Sequence, residues 1–433
     1  MASLQTPAAM SALMGELFPI CRSITGDGVR HTLEIIGRHV ALTVHEVPSG
    51  TRVLDWTVPK EWNIRDAWIK DLSGRRVVDF RANNLHVVNY SVPVRARMTL
   101  HDLKAHLFSL PDQPDWIPYR TSYYNESWGF CLAHRVLEQL TDNEYEVCID
   151  SSLEDGSLTY AECVIEGGST DEVLFSCHVC HPSLCNDNLA GISLAVALIE
   201  HLKSLPRLRY SYRFLFIPGT IGSITWLARN KERLPRVKHG LVITCVGHGE
   251  KFTYKKSRRG DTEIDQIVEH VLTHGGQAFE IQEFFPWGYD ERQFCSPGFD
   301  LPVGCLMRAP HATFPEYHTS ADNLDFVSAQ TLAESLACYR DVIAVIEENH
   351  TYLNQQPYGE PQLGKRGLYA AIGGDSKSAE RQLTMLWLLN LTDGRHSLLK
   401  IAQRAGIPFA EALNAARVLV QHDLLKPVVT GQV

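Results

Sequence analysis

Residues 175–191, FSCHVCHPSLCNDNLAG, concentrate side chains that can bind a metal or move a proton. The segment holds three cysteines together with His178, His181 and Asp187. Three interpretations are open at this point: the side chains bind a metal, the cysteines form disulfides, or the segment only joins a strand to a helix. The last is realistic because CNDN is a good helix N-cap by itself.

Further polar side chains stand next to other apolar runs of the chain. His248 follows an apolar run at 240–246, and Glu316 and His318 follow another at 301–308. Asp290 and Glu291 precede the run at 301–308. His and carboxylate ligands drawn from separate strand ends are typical of a catalytic zinc site. A carboxylate such as Asp187 can bridge two ions, so we expect one or two zinc ions.

These residues can meet because of the elements that carry them. The apolar patterns predict strands at 172–177, 212–218, 240–246 and 301–308, and helices at 188–205, 223–234, 262–276 and 328–349. The alternation predicts an α/β fold, a mainly parallel sheet with helices on both faces. Ligands bind outside the carboxyl ends of such strands. We therefore expect His178, Asp187 and His318 to converge there.

The chain divides into three predicted domains. Residues 1–46 and 141–355 form the α/β domain, and 47–140, rich in Trp, Tyr, Val and Pro, form an inserted β-rich domain. After a linker at 364–378, the region 364–433 has the helices and final strand of a winged helix. Its candidate recognition helix, 408–422, carries one basic residue, Arg417, so we expect no nucleic-acid partner.

Composition narrows the class of protein further. The chain has 433 residues and a net charge of −9. It has no apolar run of eighteen residues and no secretory signal, which predicts a cytoplasmic protein without a membrane partner. Its eleven cysteines are predicted to be free thiols, with Cys177 in the core. The sequence is also compatible with a homo-oligomer.

Long motifs resemble one bacterial family, the aminopeptidase-like proteins related to di-zinc leucyl aminopeptidases. The similar segments include CHPSLCNDNLAGI, FIPGTIGSI, YDERQFCSPGFDLPVGCLMR, FPEYHTSADNLDF and MLWLLNLTDGRHSLLKIAQRAGIPF. The resemblance covers nearly the whole chain, including the insertion and the winged helix. It implies that His178 and His318 are zinc ligands and that Asp187 is the bridging ligand.

Two positions depart from that family. Gly219 stands where the family usually has Glu, in the region that supplies a general base and a metal ligand, and His248 stands where it usually has Asp. An imidazole can replace a carboxylate as a zinc ligand, so His248 is predicted as a fourth ligand. Gly219 has no side chain, so the proton-transfer role is predicted to move to Glu291, or else to Asp290 or Glu316.

The resemblance thus implies a zinc-dependent aminopeptidase-like enzyme. It would act on an amide next to a free amine, by hydrolysis or acyl transfer, in a small peptide or aminoacyl substrate. The alternative is a catalytically weakened homologue that binds an aminoacyl ligand or a partner protein. Because a positioned general base contributes about a hundredfold or more to rate, we expect Gly219→Glu to raise peptidase turnover.

Overall fold

The fold is that of a computed structural model, which describes residues 4–368 and 376–428. The chain forms two compact units. The first comprises Met1–Thr262 with Ala278–Ala337, and the second comprises Glu263–Gln277 with Cys338–Val433.

Nineteen strands and twelve α-helices are found within the described residues. The strands are β1 Thr43–Pro48, β2 Arg52–Val53, β3 Trp56–Thr57, β4 Glu61–Lys70, β5 Arg76–Asp79, β6 Val94–Thr99, β7 Leu107–Phe108, β8 Phe130–Cys131, β9 Glu144–Glu154, β10 Ser157–Ile165, β11 Glu172–His178, β12 Ser211–Ile217, β13 Val237–Ile243, β14 Phe252–Lys255, β15 Phe279–Gln282, β16 Val303–Met307, β17 Thr351–Asn354, β18 Asp393–Ser397 and β19 Leu425–Pro427. The helices are α1 Pro7–Leu17, α2 Asp27–Gly37, α3 Leu100–Leu103, α4 His134–Glu138, α5 Ala190–Ser204, α6 Ile221–Arg229, α7 Glu263–His274, α8 Glu291–Phe294, α9 Ala329–Glu348, α10 Ser376–Leu391, α11 Leu398–Ala405 and α12 Phe409–Gln421.

An eight-stranded sheet forms the centre of the first unit. Its strand order is β1-β10-β12-β11-β13-β16-β14-β15. The central strands β12, β11, β13 and β16 are parallel, as predicted, whereas β1 with β10, β10 with β12, and β14 with β16 pair antiparallel. The sheet is therefore mixed, with its parallel part in the middle. Every residue of β11 and β12 is buried, as expected for strands covered on both faces.

The insertion forms a sheet of its own and is longer than the predicted 47–140. Its strand order is β5-β4-β9-β6, and all three pairings are antiparallel. Strand β9, which we had assigned to the α/β domain, is a member of this sheet. Its sequence EYEVCIDSSLE alternates, and Tyr145, Val147 and Ile149 are buried on one side. The alternation of buried and partly buried residues along β9 shows that this strand belongs to the insertion, so the insertion ends after β9 and not at the irregular segment before it.

The second unit contains the predicted winged helix. Helices α10, α11 and α12 contact one another, and β17 lies between β18 and β19 in a three-stranded sheet. Strand β17 precedes the predicted start at residue 364, so this fold begins earlier. The predicted linker, 364–378, lies partly outside the described residues, at 369–375, and so does the predicted end of the domain at 429–433.

Within the described residues, no helix combines the length and the apolar character needed to cross a bilayer.

Candidate metal centre and pocket

Asp187 is held at the carboxyl end of β11 by two other polar side chains. The Asp322 carboxylate accepts hydrogen bonds from the backbone N–H groups of Asn186, at 2.6 Å, and Asp187, at 3.0 Å. The Asn188 side chain donates to the Ile243 carbonyl at 3.0 Å. A Cβ on Gly191 would lie 2.2 Å from the Asn188 side-chain oxygen, so a larger residue there would displace the Asn188 side chain. Asp187 is thereby fixed with its carboxylate fully buried.

The three side chains predicted to converge do so around Asp187. His178 Nε2 lies 3.0 Å from Asp187 Oδ1, and His318 Nε2 lies 3.1 Å from Asp187 Oδ2. His178 and Asp187 are buried, whereas the His318 side chain is 32% exposed. The geometry is that of a site open on the His318 side.

Three neighbouring side chains that the sequence analysis did not assign to the site complete the cluster. The ligand atoms of His178, His181 and Asp187 all lie within 4.8 Å of one another, and so do those of Asp187, Cys245 and His311. Cys245 follows β13 and His311 follows β16. His311 stands after the predicted strand 301–308, so a signal for it was available. Cys245 lies inside the run 240–246 that was predicted to be a strand, so its position gave no signal.

The unpaired atoms of this cluster fit a bound metal. His178 Nδ1 and Nε2 and Asp187 Oδ1 are buried without a hydrogen-bond partner, because the 3.0 Å approach between His178 and Asp187 lacks hydrogen-bond geometry. Burial lowers the pKa of His181 well below its usual value, so its imidazole is neutral. Burial alone would raise the pKa of Asp187, but its electrostatic interaction with the nearby His181 ring and its contacts with His178 and His318 outweigh burial and hold that pKa well below its usual value.

A neutral imidazole and an ionised carboxylate are the forms that coordinate zinc. Nitrogen, oxygen and one sulfur atom around a shared carboxylate suit zinc better than magnesium or calcium, which prefer oxygen ligands. The residues present therefore fit one ion at each of the two groups, with Asp187 common to both.

His248, predicted as a ligand, lies outside both groups. The chain turns after β13 at Cys245, which has a φ of 51°. His248 then stacks on Phe326, with ring centroids 3.9 Å apart, and its Nδ1 lies 3.2 Å from the Phe326 carbonyl oxygen. This geometry does not support a ligand role for His248; Cys245 is the residue of that segment that reaches Asp187.

The space beside Gly219 is filled by Tyr289. A Cβ on Gly219 would lie 1.8 Å from the Tyr289 hydroxyl oxygen. The Tyr289 ring lies over His178, with centroids 4.0 Å apart, and its hydroxyl lies 3.5 Å from Cys180 Sγ, which also accepts a hydrogen bond from Gly219 N–H. A phenol therefore occupies the position that the resemblance gives to a glutamate side chain.

The carboxylates predicted to handle protons have other partners. Glu291 pairs with Lys255 Nζ at 2.8 Å, both side chains are 1% exposed, and its oxygens accept from the Tyr289 N–H. Asp290 Oδ1 accepts from Thr220 N–H at 2.7 Å and from the Ser223 hydroxyl at 3.0 Å.

Burial raises the pKa of Asp290 to about 6, and its Oδ2 has no hydrogen-bond partner. Glu316 is half-buried, two residues before His318. Glu291 therefore stabilises the loop around Tyr289, and the geometry does not support its predicted role as the general base. None of these three carboxylates lines the pocket described next.

A pocket of about 400 Å³ opens beside the cluster. His181, His318 and Tyr289 line the part of it next to the cluster, which we call the floor, and the insertion contributes aromatic side chains to the rest of the lining. The aromatic side chains from the insertion are Trp56, Tyr119, Tyr123 and Tyr124.

The insertion also holds the backbone next to His318. Tyr119 N–H donates to the His318 carbonyl at 2.7 Å, and Ser320 N–H donates to the Ile117 carbonyl at 2.8 Å. His318 itself has a φ of 55°, a left-handed conformation that a side chain adopts at a cost. These backbone bonds keep His318 in that conformation, so the insertion positions one of the candidate ligands.

The cysteines agree with the sequence analysis. All eleven are free thiols, and Cys177 is buried. Burial raises the pKa of Cys180 to about 11, so this thiol is protonated beside Gly219.

Comparisons with known proteins distinguish a long N-terminal region from the C-terminal winged helix. The family model described as "Domain of unknown function (DUF4910)" matches residues 11–349, and a winged helix-turn-helix model matches 350–427. A protein of Clostridium acetobutylicum, provisionally assigned to polysaccharide biosynthesis and carrying an aminopeptidase-like domain, is 53% identical over 426 residues, 98% of each chain.

Solved structures give the same result. A crystal structure from Clostridium acetobutylicum, of a protein provisionally named a peptidase, is 52% identical with a TM-score of 0.93 and covers 98% of this chain and 96% of its own. The zinc aminopeptidase BSAP of Bacillus subtilis shares the fold at 13% identity, with a TM-score of 0.56 over 79% of this chain and 94% of its own. The chain thus belongs to the DUF4910 family, a family of aminopeptidase-like proteins, and ends in a winged helix.

Proposed function

We propose that this protein is a zinc-dependent amide hydrolase that acts on a small peptide or aminoacyl substrate, at an amide next to a free amine. The observation that carries the proposal is the convergence of His178 and His318 on the buried carboxylate of Asp187, with buried ligand atoms that have no hydrogen-bond partner. Zinc would be held by these residues, with His181, Cys245 and His311 as further ligands of one or two ions.

When bound, zinc at such a site polarises an amide carbonyl and makes water a better nucleophile at neutral pH. The chain's own residues bind and orient the substrate. Tyr289 has a pKa that burial raises well above its usual value, so its phenol is a hydrogen-bond donor beside the pocket floor. Burial holds the pKa of His181 well below its usual value, so its imidazole stays neutral and can accept a hydrogen bond or coordinate a metal.

A second candidate is supported by the same pocket. No Asp or Glu is among the described residues that line it, and Tyr289 fills the space beside Gly219. Losing a positioned general base costs about a hundredfold to ten-thousandfold in rate. The alternative proposal is therefore a weakened homologue that binds an aminoacyl ligand or a partner protein and turns it over slowly or not at all.

A measurement of substrate turnover distinguishes the hydrolase from the weakened homologue. The purified full-length protein would be assayed against aminoacyl-anilide and dipeptide libraries, first after chelation and then with zinc restored. Hydrolysis that is lost with the chelator, regained with zinc and absent from His318→Ala supports the enzyme. Binding of aminoacyl ligands without turnover by zinc-loaded protein supports the alternative. His248→Ala is the matched control, because His248 lies outside both ligand groups.

We also propose that the winged helix does not bind nucleic acid. Arg417, the basic residue of α12, pairs with Glu348 at 2.9 Å, so the nearby carboxylate offsets the one basic charge on this helix. Submicromolar, salt-dependent binding to any duplex in a polarisation assay would contradict this.

A further inference from the structure

The charge of the pocket is unusual for a site that accepts an amine. Arg292 is its one lining residue of the Lys, Arg, Asp and Glu types, among the residues that the structure describes. The other titratable groups that face it are imidazoles, thiol and phenols. An ammonium group entering this pocket would meet a guanidinium and no carboxylate on the described walls, whereas an anion would be attracted.

The Arg292 side chain is presented to the pocket by a fixed turn. Glu291 and Phe294, on either side of it in α8, are 1% and 0% exposed, and Glu291 is anchored by Lys255. Their burial directs Arg292 away from the core. Arg292 Nε is itself buried and has no hydrogen-bond partner within the described structure. A buried donor without a partner is costly, so the protein alone does not satisfy this guanidinium, which keeps hydrogen-bonding capacity for a ligand in the pocket.

We propose that Arg292 binds an anionic group of the substrate, and that this group is a carboxylate. The inference rests on the proposed function, because it places the anion and the scissile amide in one pocket. A guanidinium donates in a planar fork that matches a carboxylate with two parallel bonds. The aromatic walls supplied by Trp56 and Tyr124, whose rings meet edge to face at 5.4 Å, suit the apolar body of the same substrate.

The substrate class is therefore a small amide with an apolar or aromatic body and a free carboxylate, as in a dipeptide. A phosphate or phosphonate offers a guanidinium the same negative oxygens, so the test must separate the two. Three hydrolysis-resistant probes do so, each with the amide carbonyl of Phe-Gly replaced by a methylene group. The first keeps the free carboxylate, the second carries a carboxamide instead, and the third carries a phosphonate.

The experiment measures the Kd of each probe by calorimetry on full-length, zinc-loaded protein. We expect the carboxylate probe to bind at least about tenfold more tightly than the carboxamide probe, since a hydrogen bond to a charged group contributes about that much. The preference should vanish in Arg292→Gln and survive in part in Arg292→Lys. It should be unchanged in Arg135→Gln, which removes an arginine paired with Asp115 outside the pocket. Phosphonate binding as tight as carboxylate binding supports general anion recognition, and weaker binding supports carboxylate geometry.

Equal or tighter binding of the carboxamide probe, no binding of any probe, or a preference that persists in Arg292→Gln would overturn the proposal. Bound zinc and the thermal unfolding midpoint are measured for each variant, so that an unfolded variant is not scored. The proposed function fails separately: if no amide is hydrolysed but the preference and its loss in Arg292→Gln are found, the anion site stands alone. If amides are hydrolysed with no preference, only the anion site is rejected.

Discussion

The two sides of the pocket floor are built from similar residues but in opposite ways. On the ligand side, around Asp187, buried nitrogen and oxygen atoms converge and lack hydrogen-bond partners. On the tyrosine side, around Gly219 and Tyr289, the carboxylate of Glu291 is paired and Asp290 accepts two hydrogen bonds. The ligand side has several converging polar atoms without a partner. On the tyrosine side the carboxylates are mostly bonded to the protein, although Asp290 Oδ2 has no partner.

The difference shows that the possible metal-ligand atoms and the carboxylates predicted to move protons lie in different surroundings. The ligand side keeps what coordination requires. The tyrosine side has a protonated phenol where the family resemblance places a carboxylate. Metal content is therefore a poor measure of catalytic competence in this protein, and each side has to be tested by its own variants.

The largest effect is expected on the tyrosine side, from Lys255→Met. This variant leaves the Glu291 carboxylate buried without its cation, which should lower the free energy of unfolding by about 3–5 kcal/mol. Urea unfolding gives the value. The double variant Lys255→Met/Glu291→Leu should recover much of the loss. If Glu291→Leu in that background instead abolishes turnover in folded protein, Glu291 is catalytic and the comparison fails.

On the ligand side, His178→Ala should lower zinc affinity by about a hundredfold or more, since second-shell changes alone cost about ten- to hundredfold. Competition with a chromophoric chelator measures the affinity. His248→Ala should leave it unchanged, because His248 stacks on Phe326 instead. An equal loss in both variants would return His248 to the ligand set.

Asp290 gives a pH test of the tyrosine side. Burial raises its folded-state pKa to about 6, above the ordinary value near 4, so between pH 4 and pH 6 the folded chain keeps a proton that the unfolded chain loses. Stability should therefore fall as pH rises through this range, by about 2–3 kcal/mol in total. Asp290→Asn keeps an oxygen for Thr220 and Ser223 and should flatten the curve. Identical curves for the two proteins would show that folding does not raise the pKa of Asp290.

The smallest effect is expected from Gly219→Glu, and it differs from the sequence-based prediction. A side chain at 219 collides with the Tyr289 hydroxyl, so the single variant should lose about 1–3 kcal/mol of stability and gain no turnover. Gly219→Glu/Tyr289→Ala removes the collision. It should exceed Tyr289→Ala in amide turnover by up to about a hundredfold if a carboxylate there acts as a base. A gain in the single variant would show that Tyr289 moves aside.

The sequence predicted what depends on local pattern. The strand predicted at 172–177 is found at Glu172–His178. Because side chains meet at the carboxyl ends of parallel strands, we predicted that His178, Asp187 and His318 lie close together, and they do. Cys245 was missed because it lies inside the apolar run 240–246, which was predicted to be a strand. The strand ends earlier, at Ile243, and Cys245 has a left-handed φ of 51°.

The contact of Tyr289 with Gly219 was not predictable, since it joins loops seventy residues apart that no local pattern relates. The extra strand β9 of the insertion sheet was missed because we placed the boundary by irregular composition, although the alternation of EYEVCIDSSLE marks it. Local periodicity thus predicts the strands and helices. The side chains that surround Gly219, by contrast, depend on packing between loops that are distant in sequence.

The backbone bond between Tyr119 and His318 has an evolutionary consequence. The same inserted segment supplies a wall of the pocket and fixes a candidate ligand. If the cluster binds zinc as we propose, a mutation there that changes substrate preference would also change the affinity for metal, so the two properties would evolve together. Exchanging insertions between relatives should transfer both together, and a library that diversifies the insertion would have to be screened under controlled zinc concentration.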